Sequence, residues 1–324
     1  MTQRKALKNA IESKANPPAA ESDPFLIYDL GGKFDRSFNE AAFEGAERWA
    51  AKTGDTYGDF EITSDAQRAR VLDQVAESSS PVVTVGFGFI NALDQQAPLN
   101  PGTEFVIIDA IVDQPNVTSY TFAEHEGAYL MGMFAAMATD TDVIGFVGGQ
   151  DIPLVRRYST AFEAGAEAID PDIDVLVNMT GTTPVAWNDP VRGGELADAQ
   201  ITLGADVIYA VAGGTGLGVL QAVADAGILG IGTDSNQNDL HPGNILTSMV
   251  KRVDVVVEDA FDFGNNLPGG RVEVGLAEGA ISYALDDNNR GLVDREMIRR
   301  VDQAIEDIIS GDIVVPDYLD TVIR

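Results

Sequence analysis

An α/β protein with two similar lobes, each a parallel sheet covered by helices, is the fold class that this sequence predicts. Short apolar runs alternate along the chain with segments of helical periodicity. The runs are apolar at consecutive positions, as in strands buried on both faces. The alternation breaks near residue 122 and restarts, giving two series of four or five strands in 324 residues, roughly two domains' worth.

Taken in order, residues 1–23 read as a polar tail, because Pro17-Pro18 and small polar residues break any helix. This segment lacks the apolar stretch of a signal peptide, and the chain has no cysteine for a lipid anchor, so no export address is visible. FLIYDL (25–30) is the first strand and ends at Gly31-Gly32. Ser37 and Glu40 have the capping-box spacing, in which each satisfies the other's backbone amide at the start of the following helix. FEIT (60–63), PVVTVGFGF (81–89) and FVIIDAIV (105–112) are further strands, with helices between the first two and around 90–96. TSYTF (118–122) is a short fifth strand near an edge or crossover. The second series runs through helix 124–139, strand 143–149, helix 153–169, strand 174–181, helix 190–203 and strand 206–212. Gly213 to Gly216 then leads into helix 216–226, strand 229–234, strand 245–252 and a helix from Asp254.

Composition excludes several function classes. Apolar residues make up 45% of the chain and aromatics 7%, enough for sizeable cores. Asp and Glu total 51 against 21 Lys and Arg, a net charge of −30, so a basic nucleic-acid groove is not expected. Without cysteine there is no disulfide, Cys-zinc site or thiol nucleophile. No apolar run reaches the length of a membrane span. Only six of the cations are Lys, and Lys5, Lys8 and Lys14 sit in the tail. An acidic, Lys-poor surface suits a protein that stays hydrated in concentrated salt, as in a halophile.

In open α/β sheets ligands bind beyond the carboxyl ends of the strands. The residues at those ends include Asp29, Phe38 and Asn39 after the first strand, Asp109 after the fourth, Trp187, Gly213 and Asp234 in the second series, and Lys251 on the strand 245–252. Such a set suits a flat polar molecule bearing hydroxyls: an aromatic stacks on a ring, amides and carboxylates pair with ring nitrogens, and Asp with Lys holds vicinal hydroxyls. Catalytic signatures are missing. There is no phosphate-binding GxxxxGK[ST], no GxGxxG spacing and no GxSxG elbow. The loop opening at Asp234 places Asp239 and Ile245 where a calcium loop needs Gly and Glu. His125 and His241 stand far apart in sequence, and His125 reads as structural or surface.

Ordered motifs across residues 24–320 carry a resemblance: YDLGGKFDRSFN (28–39), HEGAYLMG (125–132), IGFVGGQDIPLVRRYSTAFEAGA (144–166), GADVIYAVAGGTGLGVLQAV (204–223), IGTDSNQ (231–237), ILTSMVKRVD (245–254) and GDIVVPD (311–317). Together they resemble the basic-membrane-protein (BMP) family, the PnrA-like purine nucleoside receptors of ABC transporters. The resemblance implies a type I periplasmic-binding-protein fold, two Rossmann-like lobes joined by crossover strands with a ligand in the cleft. One lobe would take residues 24–122 plus about 251–280, the other 123–250 plus about 281–324.

By matched motif, Phe38 would stack on one face of a purine, and Asn39, Asp29 and Asp109 would contact the base. Trp187, where the family usually has Phe, would stack on the other face, and Gly213, Asp234 and Lys251 would hold the ribose hydroxyls. The resemblance further implies a binding protein rather than an enzyme, with no cofactor, a purine nucleoside as ligand and an ABC transporter permease as partner. Its place would be the extracellular face of the cell membrane, held there by the permease or by a lipid anchor. Two readings stay open beside it: a receptor for a sugar or other small solute on the same fold, and a cytoplasmic ligand-sensing regulator.

Overall fold

The computed structural model describes residues 22–322, so most of the expected tail lies outside the described residues. The chain divides into two compact units. The first holds the residues up to Phe122, then Arg252–Val274 and Glu278–Ala280; the second holds Ala123–Lys251, Gly275–Ala277 and the residues from Ile281.

In the first unit, strands β1 (Phe25–Tyr28), β2 (Gly58–Glu61), β3 (Val82–Val85), β4 (Phe105–Ile108), β5 (Val117–Phe122) and β11 (Gly270–Val274) form one sheet in the order β11-β5-β4-β3-β1-β2. Every pairing in it is parallel. β3 and β4 are buried at every position, which is why they read as unbroken apolar runs. Helices α1 (Phe38–Thr53), α2 (Arg68–Ala76) and α3 (Ile90–Gln96) connect the strands, and α8 (Val253–Phe263) packs on α1. There Trp49 meets Phe261 edge to face at 5.3 Å, and Arg48 bonds Asp254 and Glu258 at 2.8 Å each.

The second unit repeats the plan. Strands β6 (Val143–Gln150), β7 (Asp174–Gly181), β8 (Val207–Val211), β9 (Leu229–Asp234), β10 (Ile245–Lys251) and β12 (Ile281–Tyr283) lie in the order β12-β10-β9-β8-β6-β7. The order matches the first sheet strand for strand, except that β12 runs antiparallel to β10. Its helices are α4 (Glu124–Ala138), α5 (Pro153–Glu167), α6 (Pro190–Thr202), α7 (Gly216–Ala226), α9 (Arg295–Ser310) and α10 (Leu319–Val322). Phe146, Phe162 and Tyr209 form a ring cluster in its core, with centroids 5.4–6.0 Å apart.

Several local expectations are corrected. The Ser37 hydroxyl does not cap α1. Asp35 does: its Oδ1 accepts from the amides of Ser37 (2.9 Å) and Glu40 (3.1 Å), and its Oδ2 from that of Asn39 (3.1 Å). Glu40 instead accepts from the Arg36 amide at 2.8 Å. The strand expected over 81–89 stops at Val85, because Gly86 turns the backbone to φ 95° and Phe87–Phe89 form one 3₁₀ turn. The strand expected over 105–112 stops at Ile108 for the same kind of reason: Asp109 has φ 65°. β5 is interior, between β4 and β11, although the chain does pass to the second unit directly after it. β11, β12, α9 and α10 lie in a stretch where no element is expected from the sequence.

Candidate functional site

At the carboxyl edge of the first sheet, β1, β3 and β4 end side by side. Asp29 follows β1. Its Oδ1 accepts from the Leu30 amide and from Arg68 Nη2, both at 2.6 Å. Burial nevertheless outweighs the Arg68 charge, so the Asp29 carboxyl is held above the ordinary Asp value. Arg68 is itself buried, with its guanidinium 4.6 Å from the centre of the Phe89 ring. A Cβ at Gly86 would lie 2.5 Å from Asp29 Oδ2, so only glycine permits this approach of the β3 turn to the carboxylate.

Asn39, 2% exposed, is occupied by the loop it stands over. Its Oδ1 accepts from the Asp29 amide at 3.1 Å, and its Nδ2 donates to the carbonyls of Asp29 and Gly32, each at 3.2 Å. Its observed role is to shape the β1–α1 turn. Phe38, the first residue of α1, is half-buried beside it. Asp109 stands at the end of β4, its amide bonded to the Tyr120 carbonyl at 2.9 Å.

At the carboxyl edge of the second sheet, Trp187 closes a 3₁₀ turn after β7 and is half-buried. A Cβ on Gly149, near the end of β6, would lie 2.5 Å from Trp187 Cζ3, so the indole rests on the bare backbone there. A Cβ on Gly213, after β8, would lie 3.8 Å from Cε3 of the same ring. Thr215 locks the loop that carries the indole: its hydroxyl donates to the Ala186 carbonyl at 2.8 Å and accepts from the Asp189 amide at 2.7 Å. Asp234 ends β9 and pairs in register with Val250, the residue before Lys251 on β10. Trp187, Gly213, Asp234 and Lys251 therefore share one edge, following or ending strands β7, β8, β9 and β10.

Lys251 is 2% exposed. Its Nζ donates to Glu124 Oε1 at 3.1 Å, and Glu124 Oε2 accepts from Arg157 Nη1 at 2.6 Å. Arg157 in turn forks onto both oxygens of Asp317, at 2.9 and 2.7 Å. The neighbouring His125 imidazole is held below its usual pKa by burial and by the Arg157 charge.

Asp109 and Asp234 occupy equivalent places in the two sheets and share one backbone state, φ 65° and 68°. The left-handed conformation costs an L-residue about 1 kcal/mol and collects at functional positions. It turns the chain away at the strand end and leaves the carboxylate there.

Arg68 and Glu124 belong to these two edges although sequence reasoning did not select them. Each acts through a partner far along the chain, and no local pattern marks such a partner. Among the described residues no group of acidic, His or Cys side chains could hold a metal ion, and no helix is long and apolar enough to cross a membrane.

Comparison with known proteins agrees with this architecture. A nucleoside-binding protein of an ABC transporter, BmpA of Lactococcus lactis, is 33% identical over 318 residues, covering 90% of this chain and 88% of the relative. An uncharacterized lipoprotein of Pyrococcus furiosus is 32% identical over 277 residues, 80% of this chain and 69% of its own length. The crystal structure of an ABC transporter solute-binding protein from Aeropyrum pernix superposes with a TM-score of 0.82 at 28% identity, covering 91% of this chain and 94% of that one. A transcriptional activator of the comK gene from Bacillus halodurans has the same fold, with a TM-score of 0.74 at 23% identity over 89% of this chain and 97% of its own. The fold is that of the type I periplasmic binding proteins. The Bmp family model, described as ABC transporter substrate-binding protein PnrA-like, matches residues 27–318, and the chain belongs to that family of substrate-binding proteins.

Proposed function

We propose that this substrate-binding protein captures a purine nucleoside and delivers it to the permease of its ABC transporter, without chemical change to the ligand. The observation that carries the reading is the second edge. An indole laid on Gly149 beside Gly213 stands on the same strand ends as a carboxylate, Asp234, and an ammonium, Lys251. A planar heterocycle stacks on the first, and a ribose carries the vicinal hydroxyls that suit the other two. The edge of the first sheet carries residues of the same chemistry: Phe38 is an aromatic that suits a ring face, and Asp29 and Asp109 are carboxylates that suit base nitrogens. Asn39 contributes by holding the loop that presents Asp29. The nucleoside-binding name of the Lactococcus relative supports the same ligand class. The lipoprotein name of the Pyrococcus relative supports work at the outer face of the cell membrane.

Stacking is worth roughly 1–3 kcal/mol per aromatic partner. Two partners with several charge-assisted hydrogen bonds reach a dissociation constant of roughly micromolar, about 8 kcal/mol. Isothermal titration with inosine, guanosine and adenosine, and with free sugars as controls, tests the reading. Phe38→Ala and Trp187→Ala should each weaken nucleoside binding about tenfold or more. Undiminished affinity in both variants, or binding of the sugars alone, overturns it.

A further inference from the structure

We infer that Glu124 is a positioning residue of the ligand site: it fixes the ammonium of Lys251 at the strand end where the ribose is received. The inference rests on the nucleoside reading above and deepens it.

Glu124 is the first residue of α4, where the helix dipole favours a negative charge. It is 1% exposed, as is the Lys251 side chain. Ions so buried are costly unless each lone pair and each N–H is well placed. Here the carboxylate is gripped from both sides, Oε1 by Lys251 and Oε2 by Arg157, and Arg157 is pinned by Asp317. The chain of charges alternates in sign and sums to zero.

A lysine ammonium sits on a flexible four-carbon stem and has three donors. Glu124 takes one of them and so restrains where the ammonium can stand. The pair also spans 127 positions of sequence, joining the start of α4 to the last residue of β10. A buried pair between two apolar elements would be served as well by two apolar side chains, and commonly better. Its retention next to Asp234 is explained if the charge is needed at that edge and must not wander.

The test compares inosine with hypoxanthine, the same base without the ribose, by isothermal titration. It uses the full chain, Glu124→Gln, Lys251→Met and the double variant. Glu124→Gln should weaken inosine about tenfold and leave hypoxanthine within about twofold, since a charge-assisted hydrogen bond is lost only on the ribose side. In the Lys251→Met background, Glu124→Gln should add less than about twofold, because the two act as one unit. The double variant removes both charges together and guards against a fold lost to one unpaired buried ion. Equal losses for inosine and hypoxanthine, or a full tenfold effect without Lys251, would show a merely structural role and overturn the inference. No nucleoside binding by the unaltered protein overturns the nucleoside reading and this inference together. Nucleoside binding with unchanged discrimination in Glu124→Gln overturns only the inference.

Discussion

The position of the Trp187 ring can be tested without touching the ring itself, through Gly149→Ala. An alanine Cβ there would lie 2.5 Å from Cζ3, 2.6 Å from Cε3 and 3.1 Å from Cη2. Carbon atoms rest about 3.5–4.0 Å apart, so the indole must retreat by about 1 Å. The Gly149 backbone is not in the left-handed region, so alanine itself is tolerated. The ring is the far end of a half-buried side chain and can move, so the strain of overpacking, about 1–3 kcal/mol if it stayed, is relieved by displacement. A displaced indole loses most of its stacking, roughly 1–3 kcal/mol, which corresponds to about a tenfold or larger loss of affinity. Titration of the variant with inosine reads the affinity, and a thermal melt reads the fold. The expected result is that loss of affinity with a melting temperature lowered by no more than about 4 °C. Binding within twofold of the unaltered protein would refute the view that this ring, seated on this backbone, sets the affinity.

Three further outcomes are expected. Asp35→Ala removes an acceptor for three backbone amides at the start of α1 and should cost about 1–2 kcal/mol in urea unfolding, more than Ser37→Ala; the reverse ranking would restore the capping box. Burial pushes the Glu104 carboxyl up from 4.5 to about 7, so the folded state holds this proton more tightly than the unfolded one. Its contribution is fully present below pH 4.5 and is lost as the pH rises to about 7. Glu104→Gln should therefore gain stability relative to the unaltered protein on going from pH 4 to pH 8 in urea unfolding, and a pH-independent difference would contradict this. With a net charge of −30, unfolding temperatures should rise as KCl is raised from about 0.1 M to about 1 M, where the screening length falls from about 10 Å to about 3 Å; a flat response would remove the halophile reading.

Much of the fold was legible because parallel strands buried on both faces write themselves as apolar runs. VVTV and FVII are such runs, buried at every position. The strand ends were less legible: the runs over 81–89 and 105–112 continue past Val85 and Ile108, where Gly86 and Asp109 turn the backbone. What escaped depended on partners remote in sequence. β11 reads GRVEV, with only one buried position, and becomes a strand by pairing with β5, about 150 residues earlier. The helix over Arg295–Ser310 did carry a readable signal, its apolar residues recurring at 298, 301, 304 and 308. Asp35 escaped because the Ser37–Glu40 spacing satisfied a local template while a second carboxylate, two residues upstream, stood nearer the same amides.

The residue kinds and their spacing along the chain were enough to specify two sheets, their helices and the aromatic, acidic and basic side chains at the strand ends. Those are short-range properties, set by periodicity and burial. Which partners hold those side chains in place was decided by packing. Asn39 is bound into its own loop, Asp29 is paired with Arg68, and Lys251 is fastened to Glu124. A buried polar group must find its partner wherever the folded chain supplies one, and that choice is invisible until distant segments meet.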